Sequence, residues 1–115
     1  MVRTMKKINI IKENRDFNRI IRTGKPFKYK NYIIYVEKRE SNVYKFGFSV
    51  GKKIGNAVMR NRIKRQLKSI VDKYEYHNNF NCIIIVCKGI LNNNYLEMQE
   101  SLHEALSRLK LLKEK

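Results

Sequence analysis

The stretch GKKIGNAVMRNRIKRQLKSI, residues 51–70, carries seven Lys and Arg and no Asp or Glu. Apolar side chains in and just after it recur at helical spacing, which predicts a helix with one face packed on a sheet: Met59, Ile63, Leu67, Ile70 and Tyr74. Asn56 is a good N-cap, so we expect the helix to begin there and to reach about Tyr76. A long helix therefore occupies the middle of the chain.

The segments on either side of this helix have the patterns of strands. From Tyr44 to Val50 the residues alternate, with four on a core face and three on a small, open face: Tyr44, Phe46, Phe48 and Val50, then Lys45, Gly47 and Ser49. NCIIIVC, residues 81–87, is a continuous apolar run, as expected of an interior strand. A strand, a long helix and another strand predict a βαβ unit with two parallel strands.

Three further elements complete the predicted fold. Asn14 is a good N-cap for a short first helix that ends at Gly24. Residues near 29–38 are rich in β-branched and aromatic types, which predicts a strand. The Asn triplet at 92–94 precedes an apolar helical pattern and caps a last helix. The order αββαβα in one unit predicts an α+β fold, a single-domain α-β sandwich over residues 1–115 with a mixed sheet.

The net charge of +16 is confined to the first part of the chain. Residues 1–71 hold 20 Lys and Arg against four Asp and Glu, whereas residues 72–115 hold six of each. Charge of this density repels itself in a compact state, so it is most easily understood if a polyanion neutralises it. The composition therefore favours a nucleic-acid partner over a solvated basic surface.

Other features bear on the compartment and on metals. The N-terminal MVRTMKKINIIKEN lacks the apolar core of a signal peptide, and no run of about 18 apolar residues could cross a membrane. Cys82 and Cys87 lie five apart in an apolar run, which places them on opposite faces of a strand and prevents a disulfide between them. His77 and His103 show no ligand spacing to the cysteines. We therefore predict no metal site and a cytoplasmic location.

The outward face of the central helix is almost purely cationic. At 100° per residue from Ile63, the centre of the buried stripe, three positions lie opposite and two at the flanks: Asn61, Arg65 and Lys68, then Arg62 and Lys64. Arg60 lies nearer the rim, and no acidic residue follows before Asp72. A helix that is exposed only to solvent mixes both signs of charge. Lys52 and Lys53 extend the patch at the helix N-terminus, where free N–H groups also favour phosphate.

The string SVGKKIGNAVMRNRIKR, residues 49–65, resembles the signature of the protein subunit of bacterial ribonuclease P, whose RNR motif matches Arg60, Asn61 and Arg62. The first-helix string NRDFNRII and the strand IIIVCKG support the resemblance, which fades towards the C-terminus. The resemblance implies an α-β sandwich with a left-handed βαβ crossover, a hand that general statistics disfavour.

The resemblance also implies a reaction. In this family the RNA subunit catalyses a Mg²⁺-dependent hydrolysis that removes the 5′ leader of precursor tRNA, and the protein binds the leader and the RNA. The implied partners are the catalytic RNA and precursor tRNA, with Mg²⁺ bound mainly by RNA and substrate, no organic cofactor and no membrane. We expect a protein that is monomeric without RNA. We also expect no catalytic side chain, because the acidic residues show no paired spacing.

Two sets of residues follow from the resemblance. Contacts with the RNA core are expected at nine positions: Lys52, Lys53, Asn56, Arg60, Asn61, Arg62, Lys64, Arg65 and Lys68. The leader is expected in a groove between the first helix and the sheet, at Arg15, Phe17, Ile21, Tyr35, Lys52 and Lys88. Aromatic rings beside cations suit an unpaired strand, because any base can stack on a ring while its phosphates meet ammonium groups. Ile21 stands where the family often has a second aromatic residue, so apolar contact replaces stacking there.

Two other classes of function stay open on the residues alone. A structural RNA-binding protein, such as a ribosomal component, predicts the same steep salt dependence of binding but no preference for precursor over mature tRNA. A DNA-binding regulator that places the central helix in the major groove is less well supported, because nothing resembles a positioning helix before it.

Overall fold

The computed structural model describes residues 6–113, apart from the side chain of Lys7. The first five residues, where we expect no signal peptide, and the last two residues of the predicted domain lie outside the described range. The helices and strands are α1 (Asn14–Thr23), β1 (Phe27–Tyr29), β2 (Tyr32–Lys38), β3 (Tyr44–Ser49), α2 (Ala57–Val71), β4 (Phe80–Val86) and α3 (Tyr95–Arg108). Short 3-10 helices precede α1 and α3, at Lys7–Asn9 and Lys88–Asn92. The α+β class and the order αββαβα are confirmed; β2 accounts for most of the strand predicted near residues 29–38, and β1 is an additional short strand that overlaps this range only at Tyr29.

The four strands form one mixed sheet in the order β1-β2-β4-β3. β2 is antiparallel to both β1 and β4, whereas β3 and β4 run parallel, with Phe48 opposite Ile84. This parallel pair, joined through α2, confirms the predicted βαβ unit; the left hand of the crossover stays a prediction. β4 is interior, which explains its continuous apolar sequence, and β3 forms one edge of the sheet.

A two-residue turn divides the first predicted strand. Lys30 and Asn31 connect β1 to β2, and Lys30 adopts a left-handed backbone with φ of 50°. Asn31 ties this hairpin to the end of β4, because its carbonyl accepts a hydrogen bond from the Cys87 N–H at 2.8 Å. Its side-chain amide also donates to Asn93 Oδ1 at 2.8 Å.

Helices cover both faces of the sheet. α2 and α3 pack on one face through side chains that are at most 4% exposed: Ile63, Leu67, Ile70, Leu102, Ala105 and Leu106. α1 covers the other face, where Ile20 packs with Ile83 of β4. The apolar stripe predicted on α2 is confirmed at Ile63, Leu67 and Ile70. It is not confirmed at its two ends, because Met59 is 37% exposed and Tyr74 lies beyond the helix. The sheet therefore separates α1 from α2 and α3.

Two predicted helix boundaries are wrong. α1 begins one residue earlier than expected, since Glu13 occupies the N-cap position and Asn14 is already helical. α2 ends at Val71 and not near Tyr76. The chain leaves the helix there because the Tyr76 ring joins a buried aromatic cluster, while its hydroxyl donates to the Val71 carbonyl at 2.6 Å.

The structure also bears on the two cysteines and on membrane spans. Cys82 is buried and Cys87 is half-buried, and neither forms a disulfide. No helix within residues 6–113 is long and apolar enough to span a membrane. The cytoplasmic location stays a prediction.

Candidate nucleic-acid interface

The orientation of α2 is fixed by its cap and its buried stripe. The Asn56 side chain accepts a hydrogen bond from the Met59 N–H at 2.9 Å, which satisfies one of the free donors at the helix N-terminus. Asn56 is also one of the predicted RNA contacts. Because it caps α2, its side-chain oxygen already has a structural role. With Ile63 and Leu67 turned to the core, the polar positions of α2 face outward.

The cationic face is formed by the predicted RNA-contact residues of α2 and of the turn before it. Five of these residues are exposed and three are half-buried: Lys52, Lys53, Asn61, Arg62 and Arg65, then Arg60, Lys64 and Lys68. The first turn of α2 contains no acidic residue. Arg15, Arg19 and Arg108 form ion pairs with carboxylates, and these pairs lie outside the cationic face. The positive charge of this face is therefore not neutralised by neighbouring carboxylates.

A cleft of about 490 Å³ lies at the β3 edge of the sheet, between α1 and α2. Two predicted leader residues of α1, Phe17 and Ile21, line it, and Lys64 and Lys68 of α2 line it from the other side. We call it the α1–α2 cleft. It brings together residues that the resemblance assigns to two different partners. The lining includes no Asp or Glu.

The other predicted leader residues do not line this cleft. Tyr35 is half-buried on the α1 side of the sheet and packs with the cluster around Ile20. Arg15 is exposed on α1 and pairs with Glu13 at 3.2 Å. Lys52 and Lys88 are exposed, in the turn before α2 and at the start of the 3-10 helix after β4.

Gly47 determines how deeply the Phe17 ring lies in the α1–α2 cleft. A Cβ atom at position 47 would come within 2.5 Å of Phe17 Cζ and 3.0 Å of Cε2. The face of β3 that we expect to be open is therefore covered here, because the bare Cα of Gly47 forms a seat for the ring. Sequence reasoning missed this role, although the small residue at this position of the alternating pattern is the signal for it.

The N-terminal segment ends the cleft on one side. The Ile11 N–H donates to the Phe46 carbonyl at 2.9 Å, and Asn9 Nδ2 donates to the Tyr44 carbonyl at 2.8 Å. These bonds cover the first half of the β3 edge, and the cleft lies beside its second half, at Ser49. Polar residues that sequence reasoning missed also line the cleft: Lys12, Asn14 and Asn18.

An ion-pair network fixes α1 on the sheet. Arg19 donates to both carboxylate oxygens of Glu37 on β2 at 3.0 Å and to Asp16 at 2.7 Å. Asn81 of β4 donates to the same Glu37 carboxylate at 3.0 Å. The hydrogen bonds from Arg19 lower the pKa of Glu37, and those carboxylates raise the pKa of Arg19. Two of the four acidic residues in the basic part of the chain are thus held in this network, outside the α1–α2 cleft.

The geometry defines a class of protein: an α+β unit with one cationic helix face that continues into an aromatic cleft at a sheet edge. Residues 5–110 match the family model described as Ribonuclease P. The ribonuclease P protein component of Listeria welshimeri is 40% identical over 116 residues, covering 96% of each chain. That of Mycoplasma mobile is 38% identical over 112 residues, covering 96% of this chain and 98% of its own.

A solved structure agrees with these sequences. The RNase P protein of Staphylococcus aureus superposes with a TM-score of 0.82 at 31% identity, covering 91% of this chain and 98% of its own. The chain therefore belongs to the ribonuclease P protein family, which supports a role in the processing of tRNA 5′ ends.

Proposed function

We propose that this chain is the protein subunit of a ribonuclease P in which a catalytic RNA removes the 5′ leader of precursor tRNA. In this proposal the cationic face binds the RNA core. The observation that carries the proposal is the α1–α2 cleft, which is lined by the Phe17 ring and by Lys64 and Lys68. Family membership over residues 5–110 supports the same assignment.

The α1–α2 cleft suits an unpaired strand of RNA. The Phe17 ring offers a stacking surface for any base, and Ile21 adds apolar contact one helical turn away. Lys64 and Lys68 can meet phosphates on the wall formed by α2. Because these two lysines belong to both the cleft and the cationic face, we infer that the leader and the RNA core approach each other along α2.

The proposed reaction takes place on the RNA. Within residues 6–113, no three His, Cys, Asp or Glu side chains come close enough together to hold a metal ion. We assign Mg²⁺ mainly to the RNA and the substrate, as the resemblance to the family implies. The chain contributes binding and orientation, which lower the entropic cost of bringing the scissile bond to the catalytic centre.

Comparing Phe17→Ala with Phe27→Ala tests the leader-binding assignment. Phe27 is also half-buried, but it lies on β1 outside the α1–α2 cleft. The holoenzyme would be assembled from this protein and a ribonuclease P RNA transcript of Listeria welshimeri. We expect Phe17→Ala to reduce the preference for precursor over mature tRNA by about 1 to 3 kcal/mol, the contribution of one base stack.

Three outcomes decide between the candidate functions. Loss of the precursor preference with Phe17→Ala alone supports leader binding in the cleft. An equal preference for precursor over mature tRNA in Phe17→Ala and Phe27→Ala contradicts leader binding in the cleft and favours a structural RNA-binding protein. Cleavage of precursor tRNA by the purified protein without RNA contradicts catalysis by the RNA subunit.

A further inference from the structure

A second groove lies on the other side of α2, between the start of α2, the 3-10 helix Lys88–Asn92 and the start of α3. Its volume is about 310 Å³. The floor is made by core side chains of Ile63, Ile90 and Met98, each at most 4% exposed. Met59 and Leu91 line it as walls and are 37% and 44% exposed. This α2–α3 groove shares no lining residue with the α1–α2 cleft.

The polar side chains of the α2–α3 groove fall into two kinds. Asn94 caps α3, Asn93 Oδ1 accepts a hydrogen bond from Asn31 Nδ2 at 2.8 Å, and the Tyr95 hydroxyl is hydrogen-bonded to Ser69 at 2.9 Å. Arg62 and Gln66 lie on successive turns of α2. Their side chains make no hydrogen bond or ion pair within the described part of the chain. No Asp or Glu lines the groove. An occupant therefore meets apolar walls and two side chains with free hydrogen-bonding groups.

A nucleobase matches this combination. It has apolar faces, which can contact Met59 and Leu91, and a polar edge, which can meet Arg62 and Gln66. Arg62 also belongs to the cationic face, so the phosphates of an RNA bound there lie next to the groove. A second copy of this chain fits poorly, because it brings two strongly cationic surfaces together.

We propose that the α2–α3 groove binds one unstacked base of the partner RNA, looped or bulged out of its helix. The inference rests on the proposed function and extends it, because it gives α2 a site that recognises RNA shape as well as charge. Recognition of a single unpaired base selects an RNA with a bulge at the right distance from the phosphates that meet the cationic face.

Matched leucine variants test the groove. Leu91→Gln makes a wall polar, whereas Leu96→Gln changes a leucine that is 60% exposed and lies outside the groove. With the Listeria welshimeri transcript, we expect Leu91→Gln to weaken binding about fivefold to tenfold, near the lower end for one base stack. The slope of log affinity against log salt stays unchanged in this variant, whereas Arg65→Ala, which removes a phosphate contact, reduces it by about one. Leu96→Gln binds as the wild type does.

The outcomes separate this inference from the proposed function. Equal affinities of Leu91→Gln and Leu96→Gln overturn the groove as a base site and leave the proposed function standing. A smaller salt slope in Leu91→Gln also overturns it, because the loss then comes from phosphate contacts. Failure of the wild-type protein to bind the transcript at all overturns both.

The methionines provide a second readout. Of the four in the chain, Met59 and Met98 line the groove, whereas Met1 and Met5 lie outside the described residues. With isotope-labelled methionine methyl groups, we expect the RNA to shift the Met59 and Met98 resonances through the ring current of the base. Inorganic polyphosphate, which carries charge without bases, leaves them in place. Equal shifts with polyphosphate, or shifts on concentrating the free protein, overturn the proposal.

Discussion

α2 and α3 lie against the same face of the sheet and have almost the same length, 15 and 14 residues, yet their outward faces differ. Both helices begin at an Asn that accepts a backbone hydrogen bond, and both bury an apolar stripe. The outward face of α3 mixes charges and includes an Arg108–Glu104 ion pair at 3.3 Å. That of α2 is cationic. Since α3 packs equally well with mixed charges, the charge of α2 is not needed for the fold.

The energies of the two faces support this conclusion. Like charges at i and i+4, such as Arg60 with Lys64, destabilise a helix by about 0.2 to 0.5 kcal/mol per pair. Burying one leucine contributes several times more, about 1.5 to 3 kcal/mol. The buried stripe of α2 therefore outweighs the repulsion, and the outward face is free to serve a partner.

The largest expected effect is on stability, and it should be the same in both helices. Leu67 of α2 and Leu102 of α3 are both fully buried. We expect Leu67→Ala and Leu102→Ala each to lower the free energy of unfolding by about 2 to 5 kcal/mol, measured by urea denaturation. A much smaller loss for Leu67→Ala would show that α2 is held by something other than its buried stripe.

The second-largest effect should differ between α2 and α3. Arg65 on α2 and Arg108 on α3 are both exposed. We expect Arg65→Ala to weaken RNA binding about tenfold and to reduce the salt slope by about one, because one phosphate contact is lost. Arg108→Ala should leave RNA affinity unchanged; it removes an ion pair worth about 0.3 to 0.5 kcal/mol and the contact of the guanidinium with the Tyr29 ring, 4.6 Å from the ring centroid.

The melting temperature provides the control for this second comparison. Arg65→Ala should not lower the melting temperature, because the Arg65 side chain lies opposite the packed stripe. Its removal also relieves repulsion between like charges on α2. A clear drop in the melting temperature of free Arg65→Ala protein would contradict the outward placement of Arg65.

The sequence predicts the elements that have a single strong pattern. The stripe through Ile63 and Leu67 and the apolar run of β4 each determine one element and one buried face, so the βαβ unit follows from them. The order of the strands in the sheet cannot be predicted from these patterns, because the pairing of β2 with β4 depends on which strands can share the core. The turn at Lys30 also escapes prediction, because a left-handed Lys leaves no mark in the alternation of apolar residues.

The candidate site shows the same division. The cationic face can be predicted by turning 100° per residue from Ile63, because helix geometry alone places those side chains. The α1–α2 cleft cannot be predicted in this way. It forms only because β3 is an edge strand, which lets Phe17 of α1 and Lys68 of α2 reach the same space from opposite faces of the sheet.

The smallest expected effect concerns the first turns of the two helices. α3 has Glu97 in its first turn, where the carboxylate completes a capping box with Asn94, whereas α2 has no acidic residue there. Ala57 is exposed and shares the outward face with Asn61 and Arg65. We expect Ala57→Glu to raise the free energy of unfolding by about 0.3 to 1 kcal/mol at low salt, because a carboxylate near a helix N-terminus is favourable.

The same substitution should weaken RNA binding, most strongly at low salt, because it places a negative charge where phosphates are expected. Ala57→Gln is the matched control, since it has nearly the same size and no charge, and it should change neither quantity appreciably. If Ala57→Gln weakens binding as much as Ala57→Glu, the side chain obstructs the RNA by its size, and charge is not the reason. If Ala57→Glu stabilises the protein and leaves RNA binding unchanged, the missing acidic residue has no connection with RNA, and the contrast between α2 and α3 loses its functional meaning.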